Sequence, residues 1–95
     1  MFHYVYILLS LKDNQFYTGT TKDLDRRIKE HLNGKNPSTK YRRPLELIYY
    51  EAYLLKEDAD AREKYLKTSM GRRVIRKQLS NFIKLNQKEI SYETA

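Results

Sequence analysis

The run Tyr4-Val5-Tyr6-Ile7-Leu8-Leu9 is aromatic, β-branched and aliphatic without a break. Side chains of this kind suit a pleated, buried surface, so Phe2 to Leu9 is expected to be a strand. Lys12-Asp13-Asn14 is a turn signal, and Gln15 to Thr20 follows it as the second strand of a hairpin. The pattern then changes period. Leu24, Ile28 and Leu32 recur every four residues, as on an amphipathic helix. Thr21 or Lys22 lies at the start of that helix, Asp23 and Asp25 complement the dipole of its first turn, and Asn33-Gly34 ends it.

Lys35 to Pro44 reads as a polar, basic loop, and Leu45 to Leu54 as a third strand. Glu57 to Thr68 is expected to be a second helix, with Ala59, Leu66 and one of Arg62 or Glu63 facing inward. Ser69-Met70-Gly71 is expected to be a break. Arg72 to Leu85 is expected to be a third helix, with Ile75, Leu79, Phe82 and Ile83 as its apolar stripe. The order ββαβαα predicts an α+β fold, a small three-stranded antiparallel sheet flanked by three helices. It is read as a single domain over residues 1–85, with a polar tail at 86–95.

The apolar content, 40% of 95 residues, suffices for one packed core. There is no cysteine, which excludes a disulfide framework and a thiolate metal site, and two histidines are too few for an ordinary zinc site. No run is long enough to span a membrane and no signal-peptide pattern is visible, so a cytoplasmic protein without membrane association is expected. Net charge is +7 and unevenly spread. Residues 22–45 carry eight basic and three acidic groups, and residues 72–84 carry five basic groups and no acidic one, each block net +5. Two Arg-rich blocks suit a polyanion, and nucleic acid is the expected partner if the fold joins them.

The residues able to carry chemistry are few. Arg27 and His31, four apart on the first helix, share a face. Arg binds phosphate in a fork, and His donates a hydrogen bond or moves a proton. An ordinary basic surface helix would also account for the pair. Tyr6 and Tyr17 fall on the two strands of the hairpin and can be near each other, as sheet tyrosines or as site residues. A phenol acting as a base needs positive charge beside it, which Arg27 could supply. Gly19 would let backbone or a ligand come close. Glu63, if inward, needs a partner or a metal. With no other acid converging on it, the ion that suits is Mg²⁺ held by one carboxylate, water and phosphate. Lys40-Tyr41-Arg42-Arg43 could grip phosphates, with Tyr41 stacking on a base. No Gly-rich phosphate loop, Ser-His-Asp order or cysteine nucleophile is present, and no small-molecule cofactor is expected.

In order and spacing, Tyr4-Val5-Tyr6, Tyr17-Thr18-Gly19, Arg27-x-x-x-His31, Glu63-Lys64-Tyr65-Leu66-Lys67 and Gly71-Arg72-Arg73 resemble the GIY-YIG nuclease domain, above all its short stand-alone bacterial branch. The resemblance covers about residues 1–85. It implies a metal-dependent DNA endonuclease, related to the excision-repair nuclease subunit and so to DNA repair. Selectivity would be for DNA structure or single strands rather than sequence. It further implies that Tyr6 and Tyr17 line the site, one of them helping to activate water. Arg27 would stabilise the pentacovalent phosphate, His31 would assist proton transfer or hold a phosphate, and Glu63 would bind one Mg²⁺ or Mn²⁺. Gly19, Lys40, Tyr41, Arg42, Arg43, Arg72 and Arg73 are the expected substrate-binding residues. Two departures stand out: the first motif has no glycine, and Gln78 and Asn81 are the only amides near the downstream position where many relatives place an Asn. Two other functions fit the sequence. One is a non-catalytic nucleic-acid-binding module with the same basic blocks. The other is a protein-interaction domain using exposed Tyr49, Tyr50, Tyr53 and Tyr65.

Overall fold

Strand β1 (His3–Ser10) is the middle strand of an antiparallel sheet of order β2-β1-β3, in a computed structural model that describes residues 1–86. Its neighbours are β2 (Phe16–Thr21) and β3 (Leu45–Tyr53). A strand flanked on both edges and covered on both faces leaves no side for solvent, and Val5 through Ser10 are all buried. This is why the sequence of β1 runs apolar without alternation. The hairpin turn is built by short polar side chains. Ser10 Oγ accepts from the backbone N–H of Lys12 and Asp13, Asp13 Oδ1 accepts from that of Gln15, and Asn14 takes a left-handed conformation at φ 59°.

Register fixes the two faces. Tyr6 stands opposite Gly19 on β2 and Tyr50 on β3, and Leu8 opposite Tyr17 and Leu47. Val5 stands opposite Glu51, and Ile7 opposite Tyr49, on the other face. On the Tyr6 face, Leu8 and Leu45 form the core with Tyr17, Leu24, Ile28 and Leu47 packed against it. Burial of each such aliphatic side chain is worth about 2 kcal/mol.

Helix α1 (Leu24–Leu32) is capped by Asp23, whose side chain accepts from the Arg26 N–H, rather than by Thr21 or Lys22. Thr21 Oγ1 instead accepts from the Asp23 N–H and so fixes the approach to the cap. Leu24 and Ile28 face the core as expected, but Leu32 is 45% exposed and His31 is fully buried. Each four-residue step drifts about 40° around a helix, so Leu32 has turned about 80° away from Leu24 while position 31 comes back to within about 20°. The buried stripe is therefore Leu24, Ile28 and His31. Asn33 and Gly34, the latter at φ 74°, end the helix as expected.

The basic loop is tied down rather than free. It contains a 3-10 turn (Lys40–Arg42), and its C-terminal end bonds to the hairpin through Ser10 Oγ to the Arg42 carbonyl, at 2.6 Å, and the Leu11 N–H to the Pro44 carbonyl, at 2.8 Å.

The chain divides into two units, Met1–Lys64 and Tyr65 onward, and helix α2 (Lys56–Leu66) runs through the division. In the second unit, helix α3 (Ser69–Gln78) begins where a break was expected. Thr68 caps it, accepting from the Gly71 N–H, and Ser69-Met70-Gly71 is its first turn. A Cβ on Gly71 would lie 2.0 Å from the Tyr65 carbonyl oxygen, so glycine here serves close backbone approach and not chain breaking. The expected helix to Leu85 is interrupted at Leu79, and residues 80–86 are helical again. Ile75 is buried, while Leu79, Phe82 and Ile83 are half-buried. The expected polar tail lies, apart from Asn86, outside the described residues. Among those residues no helix is long and apolar enough to cross a membrane.

Candidate active site

Three rings from three elements meet over one end of the Tyr6 face. Tyr6 (β1), Tyr17 (β2) and His31 (α1) have ring centroids 6.4 Å apart for the two tyrosines, 5.5 Å for Tyr6 and His31, and 5.2 Å for Tyr17 and His31. The Tyr6 hydroxyl is 2.8 Å from His31 Nε2, and His31 Nδ1 is 2.6 Å from Thr39 Oγ1. Tyr6, His31 and Thr39 are all buried. Thr39, just before the 3-10 turn, is a site residue that sequence reasoning missed, because nothing periodic marks one threonine in a polar loop. His31 is the buried member of the helix and not a surface histidine.

The close approach at Gly19 is made by this cluster itself. A Cβ there would sit 2.5 Å from the Tyr6 hydroxyl oxygen and 2.6 Å from its ring. Glycine opposite Tyr6 thus makes room for the ring that reaches His31.

Arg27, one turn before His31, is half-buried. Its Nε is enclosed and makes no hydrogen bond, lying 3.6 Å from a Glu30 carboxylate oxygen. A buried guanidinium nitrogen without a bond is costly, about 1–3 kcal/mol, and marks a place where an acceptor is wanted. The electrostatics agree. Burial pushes the Tyr6 phenol well above its ordinary value; Tyr17, Glu63 and Glu30 push the same way, and Arg27 opposes them. Burial, with the Arg27 charge, lowers His31, so its imidazole is neutral at pH 7, with Glu30 opposing.

Glu63 on α2 is half-buried and close enough to act on the Tyr6 hydroxyl. The residue before it is anchored. Arg62 Nε donates to Glu51 at 2.9 Å, and the same carboxylate accepts from the hydroxyls of Tyr49 and Tyr53, both at 2.6 Å. Burial would raise Glu51, but these donors hold it below the usual carboxylate value. Tyr49 and Tyr53 are therefore committed within the fold. Of the four tyrosines expected on an exposed face, only Tyr50 is exposed, and Tyr65 is half-buried.

The loop residues divide by role. Arg42 pairs with Asp13 at 2.8 Å and reaches the Gln15 carbonyl, and Arg43 donates to the Lys40 carbonyl and packs over Gly34. Lys40 and Tyr41 are exposed, with the Lys40 ammonium 4.8 Å above the Tyr41 ring. Arg72 and Arg73 are exposed on α3, in the second unit.

The Asp13 carboxyl, gripped first by Arg42 and then by the Gln15 N–H, is held down at about 2. A depressed carboxyl contributes stability above its unfolded value of about 4, and that contribution is lost as pH falls through about 2. Thermal unfolding followed from about pH 5 to about pH 2 should therefore show a steeper loss for the native chain than for Asp13→Asn. Parallel curves would show that the pair does not hold the loop.

For a divalent ion the donor set is thin. No group of three or more His, Cys, Asp or Glu residues that could hold a metal occurs among the described residues. One half-buried carboxylate beside phenols fits Mg²⁺ or Mn²⁺ only as an ion that takes its other ligands from water and a phosphate.

Comparison with known proteins places the chain in a family. Residues 2–77 match the family model of the GIY-YIG catalytic domain. The UPF0213 protein YazA of Bacillus subtilis is 40% identical over 96 residues, spanning 98% of this chain and 91% of its own. A UPF0213 protein of Staphylococcus epidermidis is 46% identical over 67 residues, 70% of this chain and 80% of its own. The solution NMR structure of a UPF0213 protein of Bacillus halodurans aligns with a TM-score of 0.50 at 43% identity, over 86% of this chain and 85% of that one. With the sheet order, the tyrosine pair and the Arg-His helix in place, these matches settle the family: the chain belongs to the GIY-YIG catalytic domain family and is similar to its short UPF0213 members.

Proposed function

We propose that the protein is a metal-dependent endonuclease that hydrolyses phosphodiester bonds in DNA, reading structure or single-stranded character rather than sequence. The family implies an endonuclease acting on nucleic acid. The observation that carries the reading for this chain is Arg27, whose enclosed Nε lacks an acceptor beside Tyr6, Tyr17 and His31. A phosphate oxygen is the acceptor that fits a guanidinium there, and charge grows on that oxygen as the nucleophile attacks.

Each residue has a role that its surroundings allow. Arg27 binds the scissile phosphate and stabilises the pentacovalent state. Tyr6 and Tyr17 line the attack side, and one of them takes part in activating water. His31, neutral and buried, holds Tyr6 in place. Glu63 would hold the ion, which when bound neutralises charge on the phosphate and the leaving oxygen. Gly19 clears space for Tyr6. Exposed Lys40, Tyr41, Arg72 and Arg73 supply contacts to the DNA backbone, with Tyr41 available for stacking, while Arg42 and Arg43 hold the loop that presents Lys40 and Tyr41. Residues 1–85 act as the nuclease domain, in the cytoplasm and in DNA repair.

The test is incubation with supercoiled plasmid, branched DNA and single strands, with Mg²⁺ or Mn²⁺ and with chelator. Cleavage of at least one substrate that stops on chelation is expected. Glu63→Gln should raise the Mg²⁺ concentration needed for half-maximal rate by about tenfold or more. Salt-dependent binding to every substrate with no cleavage of any would point instead to a non-catalytic binding module. An unchanged metal requirement in Glu63→Gln would remove Glu63 from the metal role.

A further inference from the structure

The chain Thr39–His31–Tyr6 is buried, continuous and directional. A neutral imidazole has one N–H and one lone pair, so its two hydrogen bonds must run the same way. Either Thr39 donates to Nδ1 and Nε2–H donates to the Tyr6 oxygen, or Tyr6 donates to Nε2 and Nδ1–H donates to Thr39. Each arrangement leaves one hydroxyl hydrogen without an acceptor in the chain. In the second it is that of Thr39, which is fully buried and whose only side-chain bond among the described residues is to His31. Although the Thr39 residue precedes the 3-10 turn, its side chain makes no capping bond. In the first arrangement it is that of Tyr6, at the end of the chain where the charges of Arg27, Glu63 and Glu30 act. Both hydroxyls are buried, and a buried donor with no acceptor costs about 1–3 kcal/mol. The Tyr6 hydroxyl, however, ends the chain within the ring cluster beside Tyr17, where entering water or a phosphate oxygen can supply the acceptor, whereas Thr39 lies at the opposite end.

We infer that Thr39 is a positioning residue: its hydroxyl donates to His31 Nδ1, fixes the proton of His31 on Nε2, and so makes His31 a hydrogen-bond donor to Tyr6 rather than the acceptor of its proton. It follows that any proton Tyr6 releases leaves toward the site, and that the Nε2–H remains to stabilise the phenolate oxygen. The role of Tyr6 in cleavage rests on the endonuclease reading; the hydrogen-bond direction does not.

Two measurements test the two separately. The first is nitrogen-15 NMR of the histidine rings at neutral pH in the apo protein, in which buried His31 is resolved from half-buried His3. The expected result is a protonated Nε2 and a bare Nδ1 on His31, the same pattern in Thr39→Ser, and loss of that single tautomer in Thr39→Val. A proton on Nδ1 in the native protein overturns the inference, and so does an unchanged tautomer in Thr39→Val. The native measurement needs no variant to fold. The second is cleavage of whichever DNA the native protein cuts. Thr39→Val should lower kcat by about tenfold with KM unchanged, and Thr39→Ser should restore it, as expected when a third group sets the tautomer of a catalytic ring. Equal kcat in Thr39→Val with its tautomer lost would overturn the positioning role. A native protein that shows the Nε2 proton but cuts nothing would leave the direction standing and sink the endonuclease reading instead.

Discussion

Arg27→Ala should lower DNA cleavage by about 10³-fold, mostly in kcat, while leaving thermal stability unchanged or slightly raised. The first half follows from where the charge sits. Arg27 lies one turn before His31 on α1, and its field reaches both Tyr6 and His31. A guanidinium held there before substrate arrives loses little freedom when charge develops on the phosphate, so its contribution is made chiefly in the transition state. Arg27→Lys should recover little, because an ammonium lacks the planar fork that meets two phosphate oxygens. The second half follows from the enclosed Nε. In the free protein that nitrogen is buried without a hydrogen bond, and its nearest carboxylate, Glu30, is 3.6 Å away in a part-exposed pair of small worth. Removing it relieves a buried unsatisfied donor and loses no strong contact. Parallel measurement of single-turnover rates and melting temperature checks both halves. A loss of less than about tenfold in rate would deny Arg27 the phosphate role. A large fall in melting temperature would mean that Arg27 is a structural residue.

The parts of this site that sequence revealed are those set by periodicity and spacing. The unbroken apolar run of β1 announced a strand, and the hairpin turn brought Tyr17 to its side. Arg27 and His31 shared a helix face because four residues make about one turn. What stayed hidden was decided by contacts between distant segments. His31 displaces Leu32 from the core because the four-residue repeat drifts. Thr39 becomes a partner of His31 only because the loop is pinned to the hairpin by Arg42 and Asp13, 29 residues apart. Gly71 reads as a helix breaker, yet it sits in the first turn of α3 because Thr68 caps that turn and backbone crowds the position. Tyr49 and Tyr53 read as an exposed face until Glu51 gathers their hydroxyls. In each case the local signal was real, and a tertiary hydrogen bond or close approach redirected it.

Gly19 is a position where stability and activity should fail together. Gly19→Ala is expected to destabilise the protein by about 1–3 kcal/mol, as overpacking does. The same change should cut cleavage by about 10²-fold, the cost of misplacing a reacting group by about 1 Å. The new methyl group would overlap the Tyr6 hydroxyl and ring, and Tyr6 cannot swing aside. Its ring is buried between Gly19 and Tyr50 in register, and its hydroxyl is tethered to His31. Any shift that clears the methyl moves the hydroxyl off Nε2 or opens the pairing of β1 with β2. A double-mutant cycle isolates this cause. In a Tyr6→Leu background the obstacle is gone, so Gly19→Ala should cost little or even stabilise by a few tenths of a kcal/mol, because alanine restricts the unfolded chain more than glycine does. Denaturant unfolding of the four proteins gives the coupling energy, and the His31 ring nitrogens report whether the Tyr6 bond survives. If Gly19→Ala costs as much beside Leu as beside Tyr, glycine is there for its backbone and not for the ring. If the single variant keeps both its stability and its cleavage rate, the ring tolerates a methyl, and the close packing of Tyr6 over β2 does not hold the site together.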